Sequence, residues 1–276
     1  MKRIHTVDLF LPLQHELVFL LRGLGESDWL RPTLARQWIV KDIAAHLLDA
    51  DLRRLSAQRD GYGPNAPAET TGGYKDLVAF INRHNASWVE AATRLSPRVL
   101  VELLEWSGPQ VANLLASLSP DGAALYPVAW AGEERSANWM DIGREYTERW
   151  HHQAQIRDAV GAPGLNSRRW LTPVLELSMY ALPYAFRDAE APVGSGLSVT
   201  IEGEAGGAWH IVREAGGWEL REGDASHAAA RVRLDAETAW RLFFNALSRD
   251  EAEQRVAFAG DEKLCDTFLR VRSVMA

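Results

Sequence analysis

The sequence contains a single cysteine, Cys265, in 276 residues. One thiol excludes a disulfide framework and any cysteine-based zinc site within one chain. Set in an apolar helical pattern with Phe268 and Leu269, Cys265 reads as a core residue rather than a nucleophile. Basic clusters are missing too: 30 Lys and Arg stand against 37 Asp and Glu, a formal charge of −7. Nucleic-acid binders need clustered cations to displace counterions from phosphates, so this balance argues against one. No stretch approaches the roughly 20 apolar residues of a membrane span. The opening "MKRIHTVDLF" has no apolar segment of signal-peptide length, so a soluble, cytoplasmic protein is expected. A G-x-S-x-G elbow is absent, which disfavours a serine hydrolase. The "GLG" of Gly23 to Gly25 follows a helical pattern rather than a strand and reads as a helix end, not a nucleotide loop.

What is present divides into two patterns. From about residue 8 to 188, apolar residues recur at three- and four-residue steps in "LQHELVFLLRGL", "VKDIAAHLLDADLRRLSAQRD", "YKDLVAFINRHNASWVEAATRL", "RVLVELLEWSGPQVANLLASL", "SANWMDIGREYTERWHHQAQIRDAV" and "WLTPVLELSMYALPYAF". These predict a four-helix bundle with extra helices, and Gly108-Pro109 should kink or break the fourth segment. The Gly/Pro/Thr-rich stretch Asp60 to Tyr74 has no period and reads as a lid or a mobile connection. After residue 190 the period becomes alternating, at Leu197, Val199 and Ile201, then Trp209 and Ile211, Trp218 and Leu220, and Ala230, Val232 and Leu234. A helix over Ala236 to Ala246, a strand in "QRVAFAG" and a last helix "EKLCDTFLRVRSVM" complete the pattern. The expected fold is therefore α+β: a helical bundle over 1–190 and a small domain with an antiparallel sheet over 191–276. The 11 tryptophans are read as core and interface residues.

Helix geometry places the candidate chemistry. In "DIGREYTERWHHQAQIRDAVG", Asp141, Glu145, Glu148, His152 and Gln155 share one polar stripe, beside an apolar stripe that includes Ile142, Tyr146 and Ile156. An i,i+4 pair such as Glu148 and His152 can aim two ligand atoms at one ion. On the second helix His46 lies alongside the inward series Ile43, Leu47 and Ala50, where an imidazole needs a hydrogen bond or a metal. Two imidazoles and one carboxylate suit zinc with an open position, or another divalent ion such as iron. His151 falls off this stripe and is expected to be exposed. Glu148 with His151 is also an E-x-x-H pair of the di-iron kind, but no second copy occurs on another helix. Arg144, one turn before Glu148, is a candidate for meeting an anionic substrate.

The segments "WIVKDIAAHLLDADLRRLSAQRDGY" and "NWMDIGREYTERWHHQAQIRDAVG" together resemble the DinB-like metal-binding superfamily, and within it the mycothiol-dependent maleylpyruvate isomerase family. That family has a W-x-V-x-D-x-x-x-H segment and a later E-x-x-x-H segment, matched here by Trp38, Val40, Asp42 and His46, then Glu148 and His152. The resemblance implies a bundle followed by a small C-terminal domain, which is sterol-carrier-like in outline. It also implies a divalent metal, usually zinc, held by His46, Glu148 and His152, that converts a low-molecular-weight thiol such as mycothiol to its thiolate. The expected activity is that of an isomerase or S-transferase acting on a small electrophile, or metal-assisted hydrolysis, in a monomer or homodimer. The rival expectation is a non-catalytic protein that keeps the metal for stability and holds an apolar ligand near Trp209 and Trp218. The family's isomerases carry a Gly-Arg step whose arginine meets a substrate carboxylate; here that step falls near Asn245 and Ala246, with Arg241 or Arg249 as possible substitutes. Gln155 stands where the family often has Asp.

Overall fold

The computed structural model describes residues 2–63, 73–225 and 227–274. The stretch 64–72, inside the segment read as a lid or connection, lies outside the described residues. The chain forms two compact units, one of Thr6–Leu125 with Glu148–Gly164, the other of Met1–His5, Tyr126–Thr147 and Leu165–Ala276. Among the described residues no helix is long and apolar enough to cross a membrane.

The first unit contains α1 (Phe10–Arg22), α2 (Val40–Arg54), α3 (Tyr74–Ala92), α4 (Pro97–Ser117) and the later part of α5 (Asn138–Val160). Its core is the set of apolar positions at helical spacing: Leu17 and Leu21 of α1, Val40, Ile43, Leu47 and Leu48 of α2, Leu100 and Leu104 of α4, and Ile156 of α5. Two of these helices, α4 and α2, begin at side-chain caps. The Ser96 hydroxyl accepts from the Val99 amide, and Pro97 stands at the first helical position, where its missing N–H costs nothing. The Asp42 carboxylate reaches back to the Ile39 amide at 3.1 Å and satisfies one orphan donor at the start of α2. At the other end of α2, Leu55–Arg59 loosens into a π-helical turn.

Pro109 does not break α4, which runs through it without interruption. The preceding Gly108 serves close packing instead of a bend: a Cβ there would collide with the side chain of Gln14 on α1. Gln14 is 6 % exposed and donates to the Leu104 carbonyl at 2.8 Å, so α1 lies against α4 at the one residue that carries no side chain.

The second unit holds α6 (Arg168–Met179), α7 (Ala181–Ala185), α8 (Ala236–Phe243), α9 (Arg249–Arg255), α10 (Glu262–Phe268) and a sheet of five described strands: β1 (Gly196–Glu202), β2 (Gly207–Glu214), β3 (Gly217–Glu222), β4 (Ala230–Asp235) and β5 (Ala257–Gly260). Their order is β3-β2-β1-β4-β5. The sheet is mixed, which corrects the antiparallel expectation. β1 and β4 run parallel, Val199 opposite Val232, because the chain after β3 returns to the free edge of β1 instead of adding beside β3. The alternating set Leu197, Val199, Ile201, Trp209, Ile211, Val232 and Leu234 is buried, as a one-sided sheet requires.

Two helices end earlier than the period suggests. α8 stops at Phe243, and Asn245 then adopts φ 58°, a left-handed conformation that Asn tolerates better than most residues. α10 stops at Phe268; the chain leaves it so that Ser273 donates its amide to the Phe243 carbonyl at 2.9 Å. The helix α9 has no apolar period to reveal it. Its signal is the S-x-x-E box, in which Ser248 and Glu251 cap each other.

Candidate metal centre

The residues in question all belong to the first unit: Trp38 and His46 around α2, and Glu148, His151, His152 and Gln155 on α5. On α2, His46 follows Asp42 by one turn and is half-buried. The aromatic contacts tie the two helices together. The His46 and His152 rings meet edge to face with centroids 4.7 Å apart, and Trp38 lies 4.8 Å from His46 and 6.3 Å from His152. The i,i+4 spacing on α5 puts His152 Nε2 3.5 Å from Glu148 Oε2. That separation is close to the edge of a tetrahedral zinc shell, about 3.4 Å for ligand bonds of about 2.1 Å. The structure therefore brings His46, Glu148 and His152 together at one place.

Gln155 lies behind this group. The other nitrogen of His152, Nδ1, is 2.9 Å from Gln155 Oε1. With Nδ1–H donating to that oxygen, the lone pair sits on Nε2, the nitrogen facing Glu148. In that tautomer a neutral amide holds the ring where a carboxylate would also add charge.

His151 is not exposed: it is 4 % accessible, and its ring lies 4.8 Å from that of His152. Burial pushes its pKa well below the ordinary histidine value, and the neighbouring His152 and His46 push it the same way, so the ring is neutral at pH 7. A one-residue step of about 100° takes it off the Glu148 stripe but not into solvent. Along α5 the polar residues Asp141, Glu145, Thr147, Arg149, Gln153 and Arg157 are buried as well, so the charged stripe is not a solvated face. Glu148, His151 and His152 each offer a ligand atom within 4.8 Å of the others. The donor set, one carboxylate and up to three imidazoles that are buried or half-buried, fits a divalent ion of the zinc type.

The three candidate substrate arginines lie in the second unit, where local carboxylates engage them. Arg144 places Nη2 2.7 Å from Asp141 Oδ1, and Arg241 places Nε 2.7 Å from Glu237 and stacks over Trp240. Arg249 bonds Glu253 and Asp266. One arginine not singled out from sequence lies beside Asn245 but is engaged locally: Arg272 donates through Nε to the Asn245 side chain at 3.1 Å and through Nη1 to the Leu269 and Val271 carbonyls. Only the pairing of chain end with helix end reveals it. Trp209 and Trp218, around which an apolar ligand was the alternative, are core residues at 5 % and 7 % exposure, and Trp218 packs on Phe186 at 5.3 Å. Cys265 is buried, and burial raises its thiol pKa, which opposes nucleophilic use.

Comparison with known proteins gives a family and a similar fold. The family model described as the mycothiol maleylpyruvate isomerase N-terminal domain matches residues 10–157, which include every donor named above. Two crystal structures, of a mycothiol-dependent maleylpyruvate isomerase and of a histidine-to-alanine mutant of it, are similar in fold: each has a TM-score of 0.54 at 12 % identity, over 92 % of both chains. No curated protein matches the chain.

Proposed function

We propose, because the chain belongs to the family of the mycothiol maleylpyruvate isomerase N-terminal domain, that it is a divalent-metal enzyme that uses a low-molecular-weight thiol on a small electrophile. His46, Glu148 and His152 are the residues that would hold the ion. The observation that carries this reading is the 3.5 Å separation of Glu148 Oε2 and His152 Nε2, with the His46 ring beside them. A bound zinc would supply a thiolate at neutral pH, since coordination deprotonates a thiol. The protein's own residues do the rest. Gln155 presents His152 in one tautomer, Trp38 walls the site on the α2 side, and buried His151 stays neutral beside the cluster. Isomerisation by reversible thiol addition and S-transfer would begin from that thiolate, and metal-assisted hydrolysis from a water bound in its place.

The grouping of Glu148, His151 and His152 within 4.8 Å favours a second reading, in which His151 replaces His46 as third ligand. We prefer His46, because donors from two helices surround an ion more readily than adjacent residues of one helix, whose side chains diverge by about 100°.

Maleylpyruvate itself is expected to be a poor substrate, because Asn245 and Ala246 stand where the family's isomerases carry the Gly-Arg step. The test is to load the protein with cobalt(II) and titrate mycothiol, glutathione and cysteine, then supply maleylpyruvate and simpler electrophiles. A thiolate-to-cobalt charge-transfer band in wild type, lost in His152→Ala, is expected, with turnover of an electrophile other than maleylpyruvate. Absence of the band with every thiol would overturn the thiol reading.

A further inference from the structure

We propose that the buried Asp51–Arg149 pair, with Ser107, is a positioning device that sets His46 of α2 in register with Glu148 and His152 of α5. The proposal rests on the reading of those three residues as a metal site. Asp51 has no exposed surface and Arg149 is 7 % exposed. The Asp51 carboxylate accepts at both oxygens, from Arg149 Nη2 at 2.5 Å and from Ser107 Oγ at 2.5 Å. Three helices therefore meet on one carboxylate: α2 through Asp51, α4 through Ser107 and α5 through Arg149. The Arg149 guanidinium also lies over the Phe10 ring of α1, 5.8 Å from its centroid.

The positions in sequence give this cluster its meaning. Arg149 directly follows Glu148 and precedes His152 by three residues, and Asp51 follows His46 by five, about 7.5 Å along the same rigid helix. A slide of α2 against α5 by one residue's rise, about 1.5 Å, would break the Asp51–Arg149 bond. It would displace His46 from the α5 ligands by the same amount. A bundle core alone resists such a slide weakly, because apolar side chains repack with little directional preference. A hydrogen-bonded ion pair is directional. Nor does stability explain the pair well, since taking both charges out of water costs about as much as their attraction returns. What the pair supplies is register, and a site whose ligand atoms must stand about 3.4 Å apart needs it.

Exchanging the pair for apolar residues separates register from stability. In Asp51→Leu/Arg149→Met we expect a folded protein with an unchanged far-ultraviolet circular dichroism spectrum. Its zinc dissociation constant, by chelator competition, should be weakened about 10- to 100-fold. The cobalt(II) d–d spectrum should shift from that of wild type, and the single variant Arg149→Lys, which keeps a cation beside Asp51, should retain most of the affinity. A folded double variant with wild-type affinity and spectrum would overturn the positioning role while leaving the metal site intact. A wild type that binds no metal would instead overturn the reading beneath it. Should the double variant not fold, Ser107→Ala decides: it removes one of the three helices from the carboxylate, and several-fold weaker zinc binding is expected, whereas unchanged affinity would count against the proposal.

Discussion

At the scale of single residues, two adjacent histidines carry opposite expectations. His46→Ala and His152→Ala should each lose most bound zinc, because two remaining donors hold the ion far less tightly than three. His151→Ala should retain it, and loss equal to that of His46→Ala would make His151 the third ligand. The helical phases of His46 and His152 are legible from sequence, but the burial of His151 is not. Periodicity reports where a side chain points on its own helix, and α5 is surrounded on more than one face, which no local pattern records. A second expectation concerns Glu176 of α6. Burial raises its carboxyl above the usual range and Glu222 adds to this, while Lys2 opposes it. A raised carboxylate penalises the folded state above its folded pKa, and the penalty vanishes below the unfolded value of about 4.3. Glu176→Gln should therefore raise the melting temperature at pH 7 and leave it unchanged near pH 3.5; a decrease at pH 7 would contradict the assignment.

At the scale of elements, the motif around α2 splits into parts with different work. Asp42 lies one turn from His46 and could pass for a ligand, yet its carboxylate is engaged by the Ile39 amide at the helix start. Asp42→Ala should cost about 0.5–2 kcal/mol in urea unfolding, the loss of a cap, while the zinc stoichiometry of the folded protein stays the same. A fall in stoichiometry would move Asp42 into the metal shell. Gly108 of α4 makes a parallel case. Gly108→Ala has to displace buried Gln14 from its bond to Leu104, an overpacking expected to cost about 1–3 kcal/mol despite alanine's better helix propensity. The dipeptide Gly108-Pro109 reads as a helix break from sequence because the reading weighs one helix at a time. The structure uses it as a contact between two. Elements set by capping alone, such as α9, escape a periodicity reading for the complementary reason: their seven residues are too few to build an apolar stripe.

At the scale of the molecule, the change from helical to alternating period marks the passage from helices to the sheet, and the family match over residues 10–157 agrees with the pairing of the α2 and α5 motifs. Sequence patterns cannot show that β4 returns beside β1, since a strand's alternation is the same whichever neighbour it has. They also miss the meeting of Asp51, Ser107 and Arg149, which are 56 and 98 residues apart along the chain from Asp51. The central claim is that His46, Glu148 and His152 form a site for a divalent ion. Its most direct test is equilibrium dialysis of metal-stripped wild type and His152→Ala against zinc, with metal content read by mass spectrometry. The account predicts about one tightly held ion per wild-type chain and less than about a tenth of that in the variant. A wild type that stays metal-free, or a folded variant that binds as well as wild type, would contradict it.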